Sequence, residues 1–121
     1  DVTIVATGHL VWESLLAAEE LEKEGISCEV INIHTIKPLD EEIILKSVEK
    51  TGKIVTAEEH NYLGGLGESV AGMLSRKRPT PQEFVAVNDT FGESGTPAEL
   101  MHKYEIDAEA VVKAVKRVLA R

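Results

Sequence analysis

The chain opens on Val2-Thr3-Ile4-Val5-Ala6-Thr7, a nearly unbroken run of apolar and β-branched residues. Such a run is typical of a strand that is buried on both faces of a parallel sheet. Gly8 ends the run, and the residues that follow carry apolar side chains at helical spacing as far as Glu24. Gly25 is a residue type that commonly ends a helix. This part of the sequence therefore predicts a β-strand followed by an amphipathic helix.

The same alternation repeats along the rest of the chain. Asp40 and Asp107 precede apolar periodic segments and are predicted N-caps. The further predicted strands span 26–33, 53–58 and 82–87, and the further predicted helices span 41–50, 68–77, 97–104 and 108–120. Strands separated by helices favour parallel pairing through right-handed crossovers. The sequence predicts a single α/β domain over residues 1–121, a three-layer α/β/α fold with a mainly parallel sheet of order 2-1-3-4.

Composition excludes several classes of function. The net charge of −8 argues against nucleic acid as a partner, because binding of nucleic-acid phosphates needs clustered cations. No apolar run approaches the roughly 18 residues of a membrane span. Cys28 is the single cysteine, which excludes an internal disulfide and suits a reducing cytoplasm. The immediate start in an apolar run suggests a piece of a longer chain or a subunit of a larger assembly.

Candidate site residues follow the ends of the predicted strands, where ligands of parallel sheets bind. His9 follows the first strand, and Glu59 and His60 follow the third. One interpretation is that each histidine acts as an acid, a base or a donor to phosphate. The other is that each has a structural role. Glu58 and Glu59 point to opposite faces if the strand continues, so one of them at most reaches the crevice. No dinucleotide fingerprint, Walker loop or Gly-x-Ser-x-Gly motif is present, and no complete catalytic set can be named.

A glycine-rich segment, Gly64-Gly65-Leu66-Gly67, precedes the predicted helix 68–77. One interpretation is that Gly64, Gly65 and Gly67 leave backbone N–H groups free to bind an anion. The other is that they allow a tight entry into the helix and close packing on the sheet. Trp12, on the first predicted helix, is interpreted as a packing or subunit-contact residue.

Four segments together resemble one family. They are Thr7-Gly8 with Ser14-Leu15-Leu16-Ala17-Ala18; Ile36-Lys37-Pro38-Leu39-Asp40; Val55-Thr56-Ala57-Glu58-Glu59-His60-Asn61 running into Gly64-Gly65-Leu66-Gly67; and Asp89-Thr90-Phe91-Gly92-Glu93-Ser94-Gly95 followed by Glu99, Leu100 and Tyr104. In this order they resemble the C-terminal domain shared by transketolases, deoxyxylulose-phosphate synthases and 2-oxoacid dehydrogenase beta subunits. The last segment favours transketolase, in the form of the C-terminal subunit of a two-chain enzyme.

The resemblance implies a thiamine-diphosphate enzyme that transfers two-carbon ketol units between sugar phosphates. It also implies that thiamine diphosphate and Mg are bound by other domains, and that this domain supports assembly without catalysing the reaction alone. The implied partners are the remaining transketolase domains or an N-terminal subunit, with a homodimer as the full enzyme. His9, Glu59, His60, Gly64, Gly65 and Gly67 are candidate binding or interface residues. A free-standing module that binds an anion or small molecule remains an alternative.

Overall fold

A computed structural model of the chain describes residues 1–33, 39–61, 65–87 and 107–121, without the side chains of 59–61 and 87. Strands and helices alternate through the described residues. They are β1 (Val2–Ala6), α1 (His9–Lys23), β2 (Cys28–Asn32), α2 (Glu41–Thr51), β3 (Ile54–Asn61), α3 (Leu66–Lys77), β4 (Gln82–Val87) and α4 (Ala108–Leu119). The predicted helix 97–104 lies outside these residues.

The four strands form one parallel sheet in the order β2-β1-β3-β4, which confirms the predicted order. β1 pairs with β2 on one side, where Ile4 lies opposite Val30, and with β3 on the other, where Ile4 lies opposite Val55. All five residues of β1 are buried, because strands flank it and helices cover both of its faces. The continuous apolar run at the start of the sequence reflects this central position.

Two apolar clusters lie on opposite faces of the sheet and make it the middle of three layers. On one face, β-strand residues such as Ile4 and Val55 pack against α1 and α4. On the other face, Val5, Ile31 and Ile54 pack against α2 and α3. The predicted three-layer α/β/α architecture is therefore confirmed.

The predicted N-caps are confirmed, and several element boundaries differ from prediction by one to three residues. The Asp107 carboxylate accepts from the N–H of Ala110 at 3.0 Å, and Asp40 accepts from the N–H of Ile43 at 3.5 Å. β3 continues three residues beyond the predicted end, and α3 begins at Leu66, two residues before the predicted start. Both differences bring the end of β3 and the start of α3 closer together along the chain.

Candidate functional site at the carboxyl edge of the sheet

The pairing between the first and third strands ends at Ala6 and Ala57, toward the carboxyl edge of the sheet. Ala6 lies opposite Ala57, and the N–H of Thr7 donates to the carbonyl of Ala57 at 3.1 Å. The chain then turns at Gly8, whose φ of 57° is one that residues with a side chain rarely adopt. His9 is the first residue of α1. The structure thus places His9 at the same edge as the end of β3, where the sequence predicted the candidate residues.

Glu58 is a buried carboxylate at this edge, with only 1% of its surface exposed. Its two oxygens accept hydrogen bonds from the N–H groups of Leu66 at 2.8 Å and Gly67 at 2.7 Å. The N-cap of α3 is Gly65, which has no side chain to accept from the first turn. Glu58 supplies that acceptor from the preceding strand, and its negative charge favours the positive end of the helix. Two hydrogen bonds to the Glu58 carboxylate therefore join β3 to the first turn of α3.

Gly67 lies where α3 comes closest to the sheet. A Cβ atom at this position would overlap the ring of Phe84 and would lie 3.1 Å from Oγ1 of Thr56. The side chain of Gln82 donates to Oγ1 of Thr56 and to the carbonyl of Gly67, both at 3.1 Å. Close helix–sheet packing accounts for the absence of a side chain here, because any β-carbon would force the helix or the ring to move.

These contacts help to decide between anion binding and close packing as the role of the glycine-rich segment. The N–H groups of Leu66 and Gly67 already donate to Glu58, so neither is available to an external anion. Gly65 has the extended φ of −94°, which any residue adopts. At Gly67 the structure favours the packing interpretation. Gly64 and the side chains of Glu59 and His60 lie outside the described residues, and their assignment stays a prediction.

The described part of this edge does not fit a diphosphate group or its metal ion. A phosphate at the start of α3 would meet the carboxylate of Glu58, which would repel it and already holds the helix N–H groups. In the described ranges, no three side chains of His, Cys, Asp or Glu come together in a way that would hold a metal.

The capping role of Glu58 was not predicted from the sequence, which indicated only that one of Glu58 and Glu59 at most reaches the crevice. The available signal is a glutamate at the end of the predicted strand 53–58, eight residues before the first residue of a helix whose N-cap is glycine. Such a helix lacks a local acceptor, so a nearby carboxylate on the preceding strand is a candidate cap.

None of the helices in the described ranges has the length and apolar character that a membrane crossing requires.

Comparisons with known proteins identify what the chain resembles. The pattern of the family described as "Transketolase, C-terminal domain" matches residues 1–111. A 6-deoxy-6-sulfo-D-fructose transketolase subunit of Clostridium sp. (strain MSTE9) is 49% identical over 121 residues, which are 100% of this chain and 38% of that protein. Transketolase of Mus musculus is 40% identical over 122 residues, which cover 100% of this chain and 19% of the relative.

A solved structure shares the fold almost completely. It is described as a split gene transketolase, inactive beta4 tetramer, and it matches with a TM-score of 0.96 and 48% sequence identity. The match covers 99% of this chain and 39% of that one. The sequence therefore spans well under half the length of each of these relatives.

Proposed function

The chain belongs to the family of transketolase C-terminal domains, and on that premise we propose that it supports the assembly of an enzyme that transfers two-carbon ketol units between sugar phosphates. The proposal rests on the matches to transketolases, which cover the whole of this chain but only 38% and 19% of the two relatives. The domain contributes a rigid sheet and its packed helices, and the reacting groups lie outside residues 1–121.

Thiamine diphosphate and Mg belong, in this proposal, to the other domains of the enzyme. Supporting this, Glu58 occupies the N–H groups at the start of α3 that would otherwise suit a phosphate. The partners are the remaining transketolase domains or an N-terminal subunit. We propose a homodimer as the full enzyme, although the similar solved structure is described as a tetramer. We also propose a place in the cytoplasm, because a single cysteine suits a reducing compartment.

The alternatives are not favoured. The relatives described above are transketolases or transketolase subunits, which argues against a deoxyxylulose-phosphate synthase or a 2-oxoacid dehydrogenase beta subunit. A free-standing anion-binding module would need the N–H groups of Leu66 and Gly67, and Glu58 already binds both.

The test is removal of residues 1–121 from the complete enzyme, followed by sedimentation to measure its mass. An assembly domain predicts that the mass falls to that of smaller species and that ketol transfer is lost. A matched control carries Ile43→Glu, a single change at an exposed position of α2, and should keep the mass of the intact enzyme. An unchanged number of subunits per assembly, with the mass lower only by that of the removed residues, would contradict the proposal.

A further inference from the structure

The outward side of α1 carries an unusual concentration of exposed apolar side chains. Among the described residues, five large apolar side chains are exposed, and three of them are Trp12 at 59%, Leu15 at 49% and Leu16 at 37%. Positions i, i+3 and i+4 lie on one face of a helix, so the three form a continuous surface. We name it the α1 apolar face. Exposed patches of this kind on a water-soluble fold commonly mark an interaction site.

A depression of about 340 Å³ lies between α1 and the start of β2, and Leu15 forms part of its helix wall. Ala18 continues its helix wall, and Ser27 and Cys28 form part of the opposite wall. Burial raises the pKa of the Cys28 thiol, so the thiol stays protonated at neutral pH and the wall carries no charge there. The depression therefore has an apolar helix wall at Leu15 and Ala18, where an apolar group from outside the domain can pack, beside the polar Ser27.

Carboxylates border the same surface. Glu19 and Glu22 both line the depression, one and two turns after Leu15. Neither takes part in the ion pairs formed among the described residues, whereas the neighbouring Glu20 pairs with Lys23 at 3.5 Å. A partner that covers the α1 apolar face therefore has to supply cations beside its apolar contact, because two unpaired carboxylates would otherwise lose water without compensation.

This charge distribution discriminates between two occupants. A second copy of the domain, related by a two-fold axis that passes beside Glu19 and Glu22, would bring its own carboxylates against these two. Like charges brought together at an interface disfavour that arrangement. The relatives, in contrast, all contain more protein than this domain, which covers 38% of one split subunit and 19% of a single-chain transketolase.

We propose that the α1 apolar face docks the part of the transketolase outside residues 1–121, through an apolar side chain flanked by Lys or Arg. The apolar side chain enters the depression beside Leu15, and the cation pairs with Glu19 or Glu22. This inference rests on the proposed function, since it takes the domain to be one part of a larger enzyme.

The first test compares two thiols in the complete enzyme, introduced as Leu15→Cys and Ile43→Cys. The native side chains have nearly equal exposure in the domain, 49% and 46%, so an uncovered surface predicts similar rates of maleimide labelling. Docking predicts labelling at position 15 that is slower by about ten-fold or more, which corresponds to ~1.4 kcal/mol of protection. Peptide mass spectrometry reads each site separately from Cys28, and both sites should label equally in urea. Equal rates in the native enzyme would overturn the proposal.

A second variant tests whether the docking partner is cationic. Glu19→Lys combined with Glu22→Lys should speed labelling of the thiol at position 15 by about ten-fold, since it places cations against cations. The rate is compared per thiolate, from its dependence on pH, because nearby lysines also lower the pKa of the thiol. The control, Glu42→Lys combined with Glu49→Lys, makes the same charge change on α2 and should leave that rate unchanged. An unaltered rate in the α1 charge variant would overturn the predicted cationic partner.

A photo-crosslinker identifies the occupant. p-Benzoylphenylalanine at position 12, in place of the exposed indole of Trp12, should form adducts with peptides from outside residues 1–121. Adducts with residues 1–121 of a second copy would instead overturn the assignment. These readouts require no activity, so failure of ketol transfer would refute the proposed function while leaving the docking result to stand by itself.

Discussion

The substitution Glu58→Gln isolates the contact that joins β3 to α3. The native carboxylate is 1% exposed and accepts from the N–H groups of Leu66 and Gly67 at 2.8 and 2.7 Å. Glutamine has almost the same shape, but only one of its terminal atoms is an acceptor. Its NH₂ group therefore faces one of the two backbone donors, and that N–H loses its partner in a buried place.

The expected loss follows from these two contacts. A hydrogen bond to a charged group contributes ~1.5–3 kcal/mol, and a buried donor left without a partner costs ~1–3 kcal/mol. Burying a neutral amide in place of a carboxylate lowers the desolvation cost and offsets part of this loss. We expect the free energy of unfolding to fall by about 2–4 kcal/mol.

The assay is urea unfolding followed by circular dichroism at neutral pH, with Glu42→Gln as the matched control. Glu42 is an exposed acid in the first turn of α2, so its replacement should cost about 0.5 kcal/mol or less. The account of α3 would be refuted if Glu58→Gln lost no more stability than Glu42→Gln.

Four further substitutions test other contacts, each by the same unfolding measurement. Gly67→Ala should cost ~1–3 kcal/mol because its Cβ overlaps the Phe84 ring, and additivity of this change with Phe84→Ala in a double-mutant cycle would contradict that reason. Asp107→Ala should cost ~1 kcal/mol and Asp40→Ala less, because their carboxylates accept at 3.0 and 3.5 Å; the reverse order would be inconsistent with the cap geometry. The hydrogen bond from Lys50 lowers the pKa of Glu29, so Glu29→Gln should remove at most ~1 kcal/mol at neutral pH. That difference should disappear as the pH falls through the lowered folded pKa, and a difference that grew in acid would show the wrong sign.

The topology was predictable because each strand is short, apolar and separated from the next by one helix. The buried run from Val2 to Thr7 indicated a central strand, and the short connections left few possible strand orders. The acidic N-caps Asp40 and Asp107 were also readable, since a cap acts on the N–H groups only three residues away.

The start of α3 was not predictable from local pattern. Glycines disfavour a helix, so the sequence indicated a loop as far as Gly67. The helix nevertheless includes Gly67, because the lack of a side chain lets it pack against Phe84, which is 17 positions further along the chain. The cap from Glu58 depends in the same way on two chain segments meeting in the folded state. Both features are tertiary contacts that override local propensity.

We propose that this domain completes a transketolase without catalysing the reaction alone. The most direct measurement is ketol transfer with thiamine diphosphate, magnesium and a pentose phosphate donor, on the chain alone and after mixing with polypeptides that carry the other domains. The account predicts no transfer by the chain alone and transfer after mixing. Transfer by residues 1–121 alone would contradict it.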